Sequence, residues 1–382
     1  MRITDVATLL VDGSWRNWVF VRVEASGGLV GYGEASLEGR EYAVEGAIKD
    51  FARRIVGHDA RQIRSLRRAL TRQSYWETGP VISSAVAGVE IALWDLVGKA
   101  CGVPVHQLLG GAVRERMPVY SNAWYFGATT DDEFAERASA TVVAGYRALK
   151  FDPFSGLDFS ADDHAIARSL ARVGAVREAV GPEVGVLIEG HGRFGVQAAT
   201  RIARGLEPFA VTVFEEPVPP GDLGALATVA ASSPVPIAAG ERCVSLEECR
   251  RTVEQRAVSV FQPDIVHLGG IQTTLVAADL CDSAAIHVAP HNASGPIATA
   301  ATLHAAAVMP NLLYQEMFAP QDAPWKDEVV RGLPSVDEGA VAVPDGPGLG
   351  IEVDEVVAAL HPLVPRDLEL LEAESILDRP VH

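Results

Sequence analysis

Three glutamates recur at one interval through the middle of this 382-residue chain, each closing an apolar run. They are Glu189 in VGVLIEG, Glu215 in VTVFEEP and Glu241 in VPIAAGE, each 26 residues after the last. That interval is what one short parallel strand, one helix and their two loops consume. Three successive strands that each end in a carboxylate put three acidic groups on one rim of a parallel barrel, the rim where such barrels keep their chemistry. Converging carboxylates repel one another unless a cation lies between them. Their hard oxygen donors suit Mg²⁺ best.

The rest of the chain has the rhythm such a barrel needs. From Pro118 onward, apolar strands are predicted at PVYSNAW, RALKFD, VGVLIE, VTVFEE, VPIAAGE, VSVFQPD, AIHVAPH and NLLYQE. Ala-rich amphipathic stretches such as 198–206 and 273–283 lie between most of them. Eight strands of this kind predict a TIM-like (β/α)7β barrel of the α/β class over residues 116–320. Residues 1–115 read differently. RITDVATLLVD, WVFVRVEAS and LVGYGEAS read as strands, with an aromatic loop from Asp12 to Asn17 and a turn at Gly27-Gly28. Helices follow at 42–55, 60–71 and 83–101, the last stopped by Gly102 and Pro104. This is an α+β capping domain. Residues 321–382 have neither rhythm and are predicted to leave the barrel and complete the capping domain. Gly31-Tyr32-Gly33 lacks a third glycine and opens no helix, so it reads as a strand turn and not a nucleotide loop.

Composition narrows the class of function. A net charge of −18 excludes nucleic acid as a partner and obliges any acid-binding site to supply positive charge locally. The four cysteines form no CxxC pair and no zinc spacing, which fits buried thiols in a reducing cytosol. No run is expected to cross a membrane. A cytoplasmic homo-oligomer acting on a small molecule is the expectation.

Other strand ends add polar groups: Asp264 after VSVFQP, His291 after AIHVAP and Glu316 after NLLYQ. Asp264 and His291 end neighbouring strands, and a carboxylate beside an imidazole fixes its tautomer and raises its basicity. His191 lies two residues beyond Glu189. If the strand runs that far, both point to one face, and His191 has no evident orienting carboxylate. Glu216 competes with Glu215 as a ligand, and equal spacing favours Glu215. Lys150 and Asp152 share a face at the end of ALKFD, as a structural ion pair or as site residues. Histidines 164, 267, 287 and 304 read as surface or packing residues.

The motifs ALKFDPF, IEGHGR, FEEPVPP, AAGER, FQPDIVHLGGI and VAPHNASGPIATAATLH, with SAVAGVEIALWDLVGKACGVPVHQLLGG, resemble the enolase superfamily, mandelate racemase subgroup. The sugar-acid dehydratases of the galactonate type are the most similar branch. The resemblance implies that Glu189, Glu215 and Glu241 ligate Mg²⁺, and that Asp264 and His291 form a base dyad. It implies further that Glu316 bonds to the substrate carboxylate or ene-diolate and that His191 is the second acid/base. The substrate would be an acid sugar, with specificity from capping-domain side chains such as Trp15, Arg16, Trp18 and Trp76. Two positions depart from the pattern. Glu189 replaces the usual aspartate, and Lys150-Phe151-Asp152 stands where racemases carry Lys-x-Lys.

Overall fold

The computed structural model describes residues 1–72, 75–159, 161–318 and 323–366. The alternating N-terminal runs form an antiparallel meander, β1 (Ile3–Asp12), β2 (Asn17–Ala25) and β3 (Leu29–Glu34). Gly31 and Gly33 are not a turn, contrary to the sequence reading. They lie inside β3, opposite Val23 and Val21. A Cβ at Gly33 would meet Gly88 O at 2.0 Å, and one at Gly31 would meet Ala92 O at 2.2 Å. The two glycines therefore let a helix lie directly on the strand.

That helix is α3 (Pro80–Cys101), which follows α1 (Glu41–Ile55) and α2 (Ile63–Thr71). Pro80 starts it, and Gly102, at φ 69°, ends it. It has the length and apolarity of a membrane span, contrary to the expectation that no run reaches one. In its most apolar window 78% is buried, as in a core helix between two packed layers. A short helix, α4 (Val105–Leu108), leads into the second unit.

Eight parallel strands follow, with a helix after each of the first seven. They are β4 (Arg116–Asn122), α5 (Asp131–Val143), β5 (Ala148–Phe151), α6 (Asp163–Val180), β6 (Gly185–Glu189), α7 (Val196–Leu206), β7 (Val213–Glu215) and α8 (Leu223–Ser232). The series continues with β8 (Ile237–Ala239), α9 (Leu246–Glu254), β9 (Val260–Phe261), α10 (Ile271–Ser283), β10 (His287–Val288), α11 (Pro296–Ala307) and β11 (Gln315–Phe318). Their order is β10-β9-β8-β7-β6-β5-β4-β11. The ends of this curled sheet meet where Leu313 N donates to Val288 O (2.7 Å) and Val288 N to Asn311 O (3.0 Å). Tyr120, Ala148, Leu187, Val213, Ala238, Val260 and Ala289 fill the interior as an apolar plug.

Past β11 lie α12 (Lys326–Val329), β12 (Val330–Arg331), β13 (Ala340–Ala342), β14 (Glu352–Val353) and α13 (Glu355–Leu360). Trp325 Nε1 donates to Asp12 O (2.7 Å), and Asp12 N to His361 O (2.8 Å). Val364 N donates to Asn17 Oδ1 (3.1 Å), and Arg366 pairs with Asp12 at 2.6 Å. β13 instead pairs antiparallel with barrel strand β4. The expectation for residues 321, 322 and 367–382 falls outside the described residues.

Candidate active site

Side chains two positions along from the apolar plug form a polar layer above it, because alternate residues of a strand face the same way. Lys150 follows Ala148, Glu189 follows Leu187, Glu215 follows Val213 and Gln262 follows Val260. Glu189 and Glu215 are direct register partners on β6 and β7. Glu241 arrives by another route. It lies two residues beyond β8, after Gly240 bends at φ 139° against the Phe261 ring. One oxygen from each of Glu189, Glu215 and Glu241 lies within 4.8 Å of the others. Glu216, at φ 42°, turns the other way and pairs with Arg242 at 2.7 Å.

Lys150 is 1% exposed and does not pair with Asp152. Its Nζ lies 2.7 Å from Glu215, 3.0 Å from Glu316 and 3.7 Å from Glu189. Gln262 Nε2 donates to the second Glu215 oxygen at 2.6 Å. Even so, burial and then the Glu189 charge push the Glu215 carboxyl up to about 8. Burial also penalises Glu316, yet Lys150 and then His291 hold its carboxyl down at about 2. Asn122 Nδ2 and Asn292 N donate to Glu316, each at 2.7 Å.

A histidine stands on either side of this layer. His291 Nδ1 is 2.7 Å from Asp264 Oδ2, and its Nε2 is 3.5 Å from Glu241. Asp264 Oδ1 accepts from Val266 N (2.7 Å) and His267 N (3.1 Å). Burial pulls the His291 imidazole down. The charges of Glu316 and Glu241 and the bond to Asp264 outweigh it and lift the ring to about 10.

The opposite side corrects the sequence reading. β6 ends at Glu189, and His191 has φ 49°, so strand alternation does not carry it to the site. A turn does, with His191 N donating to Glu189 Oε1 at 2.6 Å. Nor does His191 lack an orienting carboxylate. Its Nδ1 is 2.7 Å from Asp152 Oδ2, and Arg193 holds that aspartate through contacts of 2.5 and 3.1 Å. Burial lowers His191, but the Glu189 charge and the Asp152 bond raise it to about 9.

These groups open into a cavity of about 760 Å³. Capping-domain residues close it, among them Trp15, Arg16, Glu38 and Arg40. Arg16 is 6% exposed, pairs with Glu38, and has a buried Nε with no partner among the described residues. Trp15 lies against that guanidinium (3.8 Å to the ring centroid) and stacks on Phe318 at 4.6 Å. Trp18 and Trp76 are not brought there. Trp18 is buried against Phe20 and Gly295, while Trp76 is 76% exposed beside Tyr75.

Several site residues escaped the sequence reading. His267 lines the cavity rather than the surface, with Nδ1 3.3 Å from Ser84 Oγ. Gln262 had a usable signal, since it stands two residues before Asp264 on one strand end. Arg193 had one as well, two residues past His191. Glu38, Asn122 and Asn292 had none.

Comparison with known proteins follows the same outline. The family described as Mandelate racemase / muconate lactonizing enzyme, N-terminal domain, matches residues 11–110, and Enolase C-terminal domain-like matches residues 133–357. The chain is 37% identical to a D-galactonate dehydratase of Ralstonia nicotianae, over 94% of this chain and 93% of that protein. It is 35% identical to a D-gluconate dehydratase of Thermoproteus tenax, over 94% of this chain and 73% of that one. A solved mandelate racemase/muconate lactonizing enzyme from Jannaschia sp. superposes with TM-score 0.90 at 31% identity, covering 97% of this chain and all of that one.

Proposed function

The chain belongs to the mandelate racemase / muconate lactonizing enzyme family of the enolase superfamily, and from that premise we propose that it is a Mg²⁺-dependent acid-sugar dehydratase. The substrate is a polyhydroxy monocarboxylate, and the product is its 2-keto-3-deoxy acid. One observation carries the reading: two histidines, each oriented by its own carboxylate, flank a layer of converging glutamates.

Enolase-superfamily members use a divalent metal, and the residues here fit one. Glu189, Glu215 and Glu241 would hold it. All their donors are hard oxygens, and burial together with the Glu189 charge pushes the Glu215 carboxyl up to about 8 against the pull of Lys150; a cation would relieve the repulsive part. When bound, the ion supplies Lewis-acid stabilisation of charge on the substrate carboxylate.

His291 Nε2 takes the proton alpha to the carboxylate, leaving an ene-diolate. Asp264 keeps Nδ1 protonated, so Nε2 carries the basic lone pair. Glu241 is one of the three charges that lift His291, with Glu316 and Asp264. Held as a metal ligand it would lift the imidazole less, toward the neutral form a base requires. The ene-diolate then expels the 3-hydroxyl, and His191, whose bond to Asp152 favours the protonated ring, gives that oxygen its proton. Water departs, and the enol product tautomerises to the keto acid. Lys150 holds Glu215 and Glu316 in place throughout. At the far wall, Arg16 with Glu38 offers a donor and an acceptor with no net charge. That suits a hydroxylated tail better than a second carboxylate.

A second reading, epimerisation at C2, could use the same two oriented histidines, and the 35% and 37% identity to a D-gluconate and a D-galactonate dehydratase supports dehydration over it. A panel of aldonic acids incubated with Mg²⁺ tests the choice. Release of 2-keto-3-deoxy acid is the expected result, and C2 inversion without any keto acid would overturn the dehydratase reading.

A further inference from the structure

Four barrel helices, α5, α6, α8 and α9, are capped by their own side chains: Thr130, Asp162, Asp222 and Ser245. α7, α10 and α11 are not. Each has a glycine at its N-cap, Gly195, Gly270 and Gly295, and no side-chain cap of its own. In α10 and α11 the N–H groups of the first turn are met from the other domain. Glu34, the last residue of β3, accepts from Gly295 N at 2.6 Å and from Ala298 N at 2.8 Å. Glu90, in the middle of α3, accepts from Ile271 N at 2.8 Å and from Gln272 N at 3.0 Å. Both carboxylates are buried, at 0% and 1% exposure. Ser36 Oγ (2.6 Å) and Trp94 Nε1 (2.9 Å) hold them in turn.

The two glycines are required by this arrangement. A Cβ at Gly270 would meet Glu90 Oε2 at 2.4 Å, and one at Gly295 would meet Glu34 Oε1 at 2.7 Å. A self-capping residue at either place would collide with the carboxylate that now does the work.

What these helices carry sets the consequence. The loop into α10 holds Asp264 and is tied to the helix start by Gly270 N donating to Ile265 O (2.9 Å). The loop into α11 holds His291, and its Asn292 Nδ2 reaches Thr299 of that helix at 2.9 Å. The base and its orienting carboxylate thus stand on two loops whose helices are both anchored by the capping domain.

We propose that Glu34 and Glu90 are positioning residues for proton abstraction: by capping α11 and α10 across the domain boundary, they hold His291 and Asp264 in bonding register. The turnover arm of the test rests on the dehydratase reading, and the spectroscopic arm does not. Glu34→Gln and Glu90→Gln keep the shape and turn one of the two accepting oxygens into a donor. Full-length protein with ¹⁵N-labelled histidine and saturating Mg²⁺ would be used, with His291 ring nitrogens assigned through His291→Asn. In both variants they should move toward their values in Asp264→Asn, while the His191 ring nitrogens stay put. On a turned-over aldonate, kcat should fall by roughly 10–100-fold with KM within about twofold. If Glu34→Gln does not fold, Ser36→Ala, which removes one of the bonds orienting Glu34, carries the same two readouts. Unchanged His291 nitrogens and unchanged kcat in folded, merely less stable variants would overturn the proposal and leave the two glutamates as domain glue. If wild type turns over no acid sugar, the dehydratase reading fails, and the nitrogen shifts alone decide this one.

Discussion

Glu215 is the most contested carboxylate in the molecule, shared between Lys150, Gln262 and the two other glutamates. Glu215→Gln keeps its size and should weaken Mg²⁺ binding by at least about tenfold in calorimetric titration while the protein stays folded. An unchanged titration would remove Glu215 from the ligand set. The histidines separate by exchange chemistry. His291→Asn should abolish deuterium uptake at C2 of recovered substrate in D₂O. His191→Asn should retain that uptake yet lose keto acid, because proton removal survives and only the leaving group lacks its acid. The opposite pattern would reverse the roles. A third residue lies away from the site. His304 is fully buried, and burial lowers its imidazole to about 4. A buried neutral histidine stabilises above its unfolded value near 6.5, and that contribution is lost as pH falls toward 4. The gap corresponds to about 3 kcal/mol. His304→Gln should therefore lose less stability than wild type between pH 7 and pH 4.5 in urea unfolding, and an equal loss would refute the assignment.

Elements decide what a sequence reader can see. The 26-residue interval was legible because every strand–helix unit between Glu189 and Glu241 has nearly the same length. The Asp264–His291 pairing was legible because both lie three residues past the ends of adjacent strands, β9 and β10. Asp152–His191 was not, although Phe151 and Ile188 are register partners on β5 and β6. It depends on a single left-handed residue after the strand, and no side-chain pattern announces that in histidine. Lys150 was equally opaque, because it reaches across the barrel layer to β7 rather than along its own strand. The glycines of β3 were misread for a related reason: their purpose is the helix above them, which lies some 55 residues on. Gly33→Ala should cost about 3 kcal/mol, since its neighbours at 2.0 and 2.7 Å are backbone atoms that cannot swing aside. Gly46→Ala, exposed in α1 with nothing within 4 Å, should instead stabilise by about 0.5–1 kcal/mol. Equal urea midpoints for the two variants would mean that β3 and α3 are not packed as described.

The whole molecule behaves as one fold drawn from both ends of the chain. Asp12 is bonded by Trp325, His361 and Arg366, and Leu349 N reaches Asp95 on α3 at 2.8 Å. Deleting residues from 325 onward should strip these contacts and loosen the N-terminal sheet before the barrel. Near-ultraviolet circular dichroism and aldonate turnover would both report it, and a truncated protein native by both measures would refute the claim. The same feature has a temporal side. Asn17 meets Val364 only after 347 further residues exist. At roughly 5–20 residues per second, a ribosome holds the first strands incomplete for on the order of tens of seconds. During that wait, the unclosed edge beside Val11 is open to any other nascent strand. A strand captured there would compete with residues 361–363 for the same edge.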